Sequence, residues 1–283
     1  MNNDISTKGG SASGKKNIFT VAGRFLRNKY YVSSYYRRIR GKVADKIENW
    51  QEFLTALKYD SQDKQKLLLK FKDGYSLECY PSDLMAIGET GVLEDYHPNS
   101  SFDIKPGDIV FDVGAHMGSF SIYAANKGAH VFAFEPLPEN FKRLCENITL
   151  NHMEGKVTAI NEGIFYKTGE LPFFFDNHNT GGNSIISTDR LQQATNIKVD
   201  TIGHYVKQFG LQKIDLLKID IEGAEYDIFR NLSDEEFKYI EKIVGEYHLS
   251  FEHSDNFFSL KKMLQPHFKA VKYYGPYYFY ALR

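Results

Sequence analysis

Residues 105–140 read KPGDIVFDVGAHMGSFSIYAANKGAHVFAFEPLPEN, and this stretch decides the fold class. An apolar run at 109–113 is followed by Gly114 and Gly118, then by a helical pattern and a second apolar run at 131–134. Glycines placed after a buried strand let the chain turn tightly into a helix and let a ligand approach the backbone. A strand, a tight turn, a helix and a further strand are typical of an open sheet with parallel strands.

Short apolar runs and helical patterns alternate along the rest of the chain. The further strand-like runs are 157–160, 214–219 and 240–247, and the predicted helices are 119–127, 138–151, 201–209, 224–231 and 255–264. The last two runs, 268–274 and 277–282, are joined only by Gly275 and Pro276, which leaves no room for a helix, so they must pair antiparallel. The pattern predicts an α/β, Rossmann-like fold: a seven-stranded, mostly parallel sheet with a C-terminal antiparallel hairpin.

Two segments outside this alternation predict hairpins. One is residues 67–80, with the turn at Lys72-Asp73-Gly74. The other lies in a polar insertion and would pair residues 165–175 with 177–187. Its loop, Thr180-Gly181-Gly182-Asn183-Ser184, either closes over a substrate or is an ordinary surface loop.

The composition is that of a globular protein. The chain has 283 residues, of which 42% are hydrophobic and 25% charged, and this excludes collagen-like, disordered and disulfide-scaffold classes. Only two cysteines occur, so no disulfide framework is expected and a reducing cytoplasm is the default compartment. No stretch approaches the roughly 20 apolar residues of a membrane span, and the polar start does not resemble a signal peptide. We therefore expect a cytoplasmic protein.

A near-neutral net charge conceals a basic N-terminal arm. Ten Lys and Arg residues and no acidic residue lie between positions 5 and 44. Such an arm has three interpretations. It is a solvated tail, or residues 15–42 anchor the protein to anionic membrane lipids, which would make it peripheral to the membrane. A contact to nucleic acid is less favoured. The predicted organisation is a basic, partly helical extension (1–60), a hairpin and helical lead-in (61–104) and an α/β domain (105–283).

The loop after the first strand of the α/β domain predicts a nucleotide-like ligand at the start of the following helix. His116 stands where the dinucleotide loop G-x-G-x-x-G has its second glycine, so a pyrophosphate is not expected. Glu135 follows the second strand, where a carboxylate can accept hydrogen bonds from both ribose hydroxyls. The pattern favours S-adenosylmethionine over NAD, with Gly114 and Gly118 in the turn. For His116 an ordinary packing role stays open.

Several of these motifs resemble the FkbM-type methyltransferases. They are Lys105-Pro106-Gly107-Asp108, residues 111–118, residues 134–140, residues 147–151 and, most distinctively, Lys218-Ile219-Asp220-Ile221-Glu222-Gly223-Ala224-Glu225. The resemblance covers residues 67–283 and implies the class I methyltransferase fold, S-adenosylmethionine as cofactor, and O-methylation of natural products or glycans. His116 departs from the family, which usually has Asn there. The resemblance implies that either side chain hydrogen-bonds the methionine end of the cofactor.

Methyl transfer to a hydroxyl needs a base or a metal, because a neutral hydroxyl is a poor nucleophile. Asp220 and Glu222 follow the fourth strand, and Glu246 and His248 end the fifth. Strand ends of a parallel sheet meet at one edge, so we expect these four catalytic candidates to converge. They suit His248 as general base or, less favoured, an oxygen-rich divalent metal site. Asp112 could contact the ammonium group of the cofactor's methionine end. Asp220 could also contact the cofactor. The alternative is ordinary charge at strand ends and helix starts.

The leading hypothesis is an S-adenosylmethionine-dependent O-methyltransferase acting on a hydroxyl of a carbohydrate or small metabolite. An RNA methyltransferase is the rival enzyme, since a basic arm and many aromatic residues would suit RNA. Against base N-methylation, the loop after the fourth strand reads Asp220-Ile221-Glu222-Gly223 and not Asn/Asp-Pro-Pro-Tyr/Phe. A non-catalytic binding module with a cofactor fold is a third hypothesis, and the intact strand-end acids argue against it.

Overall fold

The computed structural model describes residues 35–58, 65–175, 192–248, 257–275 and 277–283. Its strands are β1 (Leu67–Lys70), β2 (Ser76–Cys79), β3 (Ile109–Val113), β4 (His130–Phe134), β5 (Val157–Ile160), β6 (Gly163–Ile164), β7 (Gly169–Phe175), β8 (Gln192–Asp200), β9 (Leu216–Ile219), β10 (Lys242–Glu246), β11 (Ala270–Tyr274) and β12 (Tyr278–Leu282). Its α-helices, numbered from residue 43, are α1 (Val43–Lys46), α2 (Trp50–Lys58), α3 (Leu84–Gly91), α4 (Ser119–Asn126), α5 (Pro138–Leu150), α6 (Ile202–Gln208), α7 (Glu225–Asn231), α8 (Asp234–Lys238) and α9 (Phe257–Leu264). Short 3-10 helices occur at Pro81–Asp83 and Ser100–Phe102.

Seven strands form the central sheet in the order β11-β12-β10-β9-β3-β4-β5. Strand β12 is antiparallel to both of its neighbours, and the other pairs are parallel. Helices connect the strands that pair in parallel, as such pairing requires, and the short joint between β11 and β12 allows only antiparallel pairing. The predicted fold class, a class I methyltransferase-like sheet with a C-terminal hairpin, is confirmed.

Strands β3 and β9 are neighbours in the middle of this sheet and are buried on both faces. Burial on both faces explains why they read as nearly continuous apolar runs, IVFDV and LLKI. The single charged residue in each run, Asp112 in β3 and Lys218 in β9, occupies the same position in the pairing register. The middle of the sheet therefore contains one buried pair of opposite charges.

The hairpin predicted at residues 67–80 is also confirmed, with β1 and β2 antiparallel. It is attached to α5 by two side-chain amides. Asn147 accepts from the backbone N–H of Glu78 at 2.8 Å and donates to its carbonyl at 3.1 Å, and Asn151 does the same at Ser76. These bonds fix the start of the lead-in, and with it Pro81–Asp83, beside the α/β domain.

The second predicted hairpin is different in the structure. Strand β7 pairs antiparallel with β8, residues 192–200, and β6 pairs with the other edge of β8. Residues 177–187, which were predicted as the partner, and the loop Thr180–Ser184 lie outside the described residues. The sequence did not predict β8 because QQATNIKVD is mostly polar and shows apolar alternation only at Ile197 and Val199.

The chain divides into two units, residues 1–42 and 43–283. Helices α1 and α2 belong to the second unit, whereas the sequence analysis placed them in the N-terminal extension. The reason is backbone pairing with the first hairpin: Glu48 N–H donates to the Lys70 carbonyl and Lys72 N–H to the Lys46 carbonyl, each at 2.8 Å.

In the described part of the smaller unit, residues 35–39 are helical. Residues 15–34 of the basic arm lie outside the described residues, so its three interpretations stay predictions. Within the described ranges, no helix has the length and apolar character needed to cross a membrane.

Candidate functional site

An open cavity of about 980 Å³ lies at the carboxyl ends of β3, β4 and β9. Five of the predicted site residues line it: Gly114, His116, Glu135, Asp220 and Glu222. The remaining predicted residues, all of them described, do not lie on its wall: Asp112, Gly118, Glu246 and His248. The carboxyl ends of neighbouring strands therefore build the cavity, as expected for an open α/β sheet.

The two glycines of the turn between β3 and α4 are required by packing. Gly114 has a φ of 82°, and a Cβ at this position would lie 2.0 Å from the backbone oxygen of Asp220. Gly118 has a φ of 92°, and its Cβ would lie 2.6 Å from Cδ1 of Leu144. Gly114 therefore lets the loops after β3 and β9 approach each other beside the cavity. Gly118 serves the packing of α4 on α5 and is not at the cavity wall.

Glu135 lines the cavity, and its carboxylate is held by backbone groups. Its side-chain oxygens accept hydrogen bonds from the N–H of His116 at 2.8 Å and from the N–H of Leu137 at 2.9 Å. Burial raises the pKa of this carboxyl to about 7, although these hydrogen bonds act in the opposite direction. The Asn140 side chain also hydrogen-bonds this carboxylate, which keeps lone-pair capacity for a ligand hydroxyl. The position fits the predicted contact with a ribose.

His116 has a left-handed φ of 53° and lines the cavity. Its Nε2 is buried without a hydrogen-bond partner among the described residues and lies 3.7 Å from Oδ1 of Asp83, which is unpartnered in the same way. Burial lowers the pKa of this imidazole, with Arg143 and Lys218 acting in the same direction and Asp83 opposing them. The ring is therefore neutral at pH 7. The two atoms face each other next to the part of the cavity wall that His116 forms.

Asp112, predicted to meet the cofactor's ammonium group, lies behind the cavity wall. It is fully buried, accepts a hydrogen bond from Ser121 Oγ at 2.6 Å and lies 3.2 Å from Lys218 Nζ. Lys218 in turn donates to the Gly114 carbonyl at 2.9 Å and lines the cavity. The ammonium that Asp112 neutralises is therefore the one on Lys218.

Lys218 was missed as a site residue by the sequence analysis. The signal was a single charge inside the apolar run LLKI. Burial disfavours the charged ammonium, but Asp112 and Asp220 outweigh this effect and raise the pKa of Lys218 above its usual value. The lysine therefore keeps a fixed positive charge beside the turn after β3.

The four catalytic candidates converge at the ends of β9 and β10. Side-chain atoms of Asp220, Glu246 and His248 lie within 4.8 Å of one another. Nε2 of His248 is 3.5 Å from Glu222 Oε2 and 3.7 Å from Glu246 Oε2. We call Asp220, Glu222, Glu246 and His248 the acid–imidazole cluster. Two of its members, Asp220 and Glu222, face the cavity, so the cluster and the cavity are continuous.

A fourth carboxylate, Glu225, completes this arrangement. Glu225 is the first residue of α7 and is fully buried. Its Oε1 lies 2.9 Å from Nδ1 of His248 and also accepts from the backbone N–H of Ile221 at 3.2 Å. The sequence indicated Glu225 only as the last residue of a motif. The structure shows that Glu225 orients the imidazole of His248 so that Nε2 points toward the other carboxylates of the cluster.

Tyr96, from the lead-in, is a second residue that the sequence did not indicate. Its hydroxyl lies 3.0 Å from Asp220 Oδ2 and 3.2 Å from Glu246 Oε1, so it donates to one of the two at a time. Burial and both carboxylates raise the pKa of Tyr96 well above its usual value. The phenol therefore stays protonated and bridges two acids that would otherwise repel.

The cluster holds protons more tightly than isolated side chains do. Burial disfavours the charged form of His248, but Glu225, Glu222 and Asp220 outweigh it and raise the pKa of the imidazole well above 6.5. Burial and the neighbouring Asp220 raise the pKa of Glu246. His248 is therefore an imidazolium at neutral pH and becomes a base only at higher pH.

The same groups have the chemistry of a cation site. Two carboxylates and one imidazole within 4.8 Å suit an oxygen-preferring divalent metal. In the described arrangement both ring nitrogens of His248 face carboxylates. The imidazolium therefore offsets part of the carboxylate charge, and the geometry is compatible with either chemistry.

Comparison with known protein families identifies one match. The model of the family described as Methyltransferase FkbM domain matches residues 112–270. The matched segment contains the turn after β3, Glu135, the loop after β9 and His248. Tyr96 and Asp83 lie before it.

The matches to individual proteins have low sequence identity. The chain is 26% identical over 175 residues to 31-O-demethyl-FK506 methyltransferase FkbM of Streptomyces tacrolimicus, covering 52% of this chain and 67% of the relative. It is 26% identical over 153 residues to the hexuronic acid methyltransferase AglP of Haloferax volcanii, covering 54% of this chain and 61% of the relative. A shorter match, 30% over 117 residues, links it to a tRNA (guanine(37)-N(1))-methyltransferase of Aedes aegypti, covering 41% of this chain and 20% of that protein.

Proposed function

The chain belongs to the FkbM methyltransferase family and is a methyltransferase, and from this premise we propose that it methylates a hydroxyl group of a carbohydrate or small metabolite with S-adenosylmethionine. One observation carries the proposal. The cavity bounded by Glu135 and the turn after β3 is continuous, through Asp220 and Glu222, with a cluster that contains His248 and three carboxylates. A cofactor compartment thus adjoins a proton-accepting compartment.

The residues of the cavity fit the cofactor. Glu135 would accept hydrogen bonds from the ribose hydroxyls, and His116 would contact the methionine end. Bound there, S-adenosylmethionine would supply an activated methyl group and its own leaving group. Lys218, already compensated by Asp112 at 3.2 Å, would hold the Gly114 carbonyl and with it the shape of the turn.

His248 is the proposed general base. Its Nδ1 is held by Glu225 at 2.9 Å, in the same relation as the carboxylate that orients the histidine in hydrolase triads. Nε2 is then the nitrogen that receives the proton of the acceptor hydroxyl. Glu225, Glu222 and Asp220 stabilise the imidazolium that forms.

The charge of the cluster favours a neutral acceptor. Asp220, Glu222 and Glu225 outnumber the single imidazolium of His248, so this side of the site is acidic and would repel a carboxylate or a polyanion. The relatives act, by their names, on an FK506 precursor lacking a 31-O-methyl group and on a hexuronic acid. A hydroxyl of a neutral sugar or small metabolite fits the cluster and the first of these relatives, whereas the carboxylate of a hexuronic acid would have to lie away from the acidic side chains. The same repulsion weighs against the RNA hypothesis, despite the partial match to a tRNA methyltransferase.

The test is methyl transfer from isotopically labelled S-adenosylmethionine to fractionated glycans, lipids, RNA and small molecules. We expect label in the glycan or small-molecule fraction that resists mild base, because methyl ethers are stable to base and methyl esters are not. Label released by mild base would show a carboxyl acceptor, and label released by ribonuclease would establish the RNA rival. The variant Glu135→Ala, which should bind the cofactor more weakly, gives the background level of label.

A metal-dependent reaction is the second candidate, because the three groups within 4.8 Å could hold a divalent cation. The same assay in a chelator separates the two mechanisms. Full activity in the chelator supports the base. Loss in the chelator, restored by Mg²⁺ or Mn²⁺, supports the metal.

A further inference from the structure

A buried ion pair in the lead-in lies next to the cavity. Asp83 ends the 3-10 helix after β2 and is 1% exposed. Its Oδ2 accepts hydrogen bonds from the backbone N–H of Tyr80 at 2.7 Å and from the guanidinium of Arg143 in α5. Arg143 also lies over the Tyr80 ring, 4.8 Å from its centroid. These contacts satisfy Oδ2 and fix the carboxylate in place.

The other oxygen of Asp83 faces His116. Oδ1 of Asp83 and Nε2 of His116 are both buried, both lack a hydrogen-bond partner among the described residues, and are 3.7 Å apart. This distance is longer than a hydrogen bond, so the imidazole has to rotate toward the carboxylate for the two atoms to pair. Leaving both atoms unpaired is costly in a buried site, so the pairing is the favoured arrangement.

Pairing with Asp83 determines which nitrogen of His116 carries the proton. A carboxylate only accepts hydrogen bonds, so the nitrogen that faces it must be the N–H. A neutral imidazole has one N–H, and Nδ1 then carries the lone pair. His116 lines the cavity, and Nδ1 is the nitrogen left for a ligand. The ring therefore offers the ligand a hydrogen-bond acceptor.

We propose that Asp83 is a positioning residue that holds His116 as the Nε2–H tautomer, so that Nδ1 accepts a hydrogen bond from the ammonium group of the cofactor's methionine end. The proposal rests on the proposed function, since it presupposes this cofactor. The ammonium is the strong donor at that end, and the adjoining carboxylate of the cofactor would be repelled by a lone pair. A determinant of cofactor binding thus lies in the lead-in, before residues 112–270 that match the family model.

Two ligands separate this role from a structural one. S-Adenosylhomocysteine carries the ammonium group, whereas 5′-methylthioadenosine has the same adenosine and thioether without the amino-acid end. By calorimetry on the full chain, Asp83→Asn should weaken S-adenosylhomocysteine binding at least tenfold and leave 5′-methylthioadenosine within twofold. The reason is that the amide introduced by this substitution donates to Nε2 and so reverses the tautomer. Equal weakening of both ligands, or no effect on S-adenosylhomocysteine, would overturn the proposal.

A double-mutant cycle gives the matched control. His116→Asn supplies an acceptor that has no tautomers, and Asn tolerates the left-handed φ of 53° at this position. In that background Asp83→Asn should change S-adenosylhomocysteine binding less than twofold, and a persisting tenfold loss would refute the coupling. If thermal melting shows that Asp83→Asn does not fold, His116→Ala should still weaken S-adenosylhomocysteine selectively, and an unselective loss would again refute it. A wild-type chain that binds neither ligand would refute the proposed function itself.

Discussion

The proposed cofactor side and the proposed acceptor side of the site are stabilised in different ways. On the cofactor side, Glu135 is held by two backbone N–H groups, one from its own loop and one from the neighbouring turn. On the acceptor side, Asp220, Glu246 and His248 are held by one another and by the side chains of Tyr96 and Glu225. Backbone geometry builds the first side, and charge compensation between distant side chains builds the second.

This difference has a chemical consequence. A group satisfied by backbone N–H donors loses little when a distant side chain changes, whereas each member of the acid–imidazole cluster sets the proton affinity of the others. We therefore expect substitutions in the cluster to change turnover and its pH dependence. Substitutions on the cofactor side should change affinity alone.

The largest effect is expected at His248. Removing a general base costs roughly 10²–10⁴ in rate, so His248→Ala should lower turnover by that factor and leave S-adenosylmethionine affinity within threefold. The control is His204→Ala, because His204 lies on α6, is about half exposed and bonds Gln208. Unchanged turnover in the His248 variant would place proton transfer elsewhere and remove the distinction between the two sides.

The next effect is expected at Glu225, which raises the pKa of His248. Activity of the wild type should rise with pH as the imidazolium loses its proton. Glu225→Gln removes the charge, so the pKa of His248 falls and the rise should move to lower pH. The plateau rate should drop about tenfold because the ring is less well oriented. A pH–rate profile measured at saturating cofactor checks both effects, and a shift to higher pH would contradict the assignment.

A smaller effect, on affinity alone, is expected at Glu135. Glu135→Ala removes two charge-assisted hydrogen bonds to the ribose, so calorimetry should show at least tenfold weaker binding of S-adenosylmethionine. The exposed Glu139 at the start of α5 provides the control Glu139→Ala. Because the pKa of Glu135 is about 7, affinity for 5′-methylthioadenosine should rise as the pH passes upward through that value. The Glu135→Ala variant should lose this dependence.

The smallest effect on the site is expected from the basic arm. Deleting residues 1–42, the smaller unit, should leave cofactor affinity within twofold. If the arm is a lipid anchor, the deletion should abolish co-sedimentation with anionic vesicles at low salt, and high salt should do the same for the full chain. If the full-length protein never sediments with such vesicles, the lipid-anchor interpretation is wrong and the solvated-tail interpretation stands.

Most of the fold could be predicted because it follows from local patterns. The run IVFDV, the turn with Gly114 and Gly118, and the two-residue joint before β12 each restrict the backbone within a few residues. Strand β8 was missed because its sequence is mostly polar. In the site, the convergence of Asp220 and Glu246 was predictable, since neighbouring parallel strands end at one edge.

The sequence by itself determined the sheet, its reversed strand, the glycine turn after β3 and the edge of the sheet at which the acid–imidazole cluster collects. Only the tertiary structure decided that Asp112 pairs with Lys218 behind the cavity wall, that Glu225 orients His248, and that Tyr96 bridges two acids. Periodicity reports which face of an element a residue occupies, but not which side chain from a remote segment meets it there. Tyr96 and Asp220 are 124 positions apart, and their pairing depends on how the lead-in packs against the sheet.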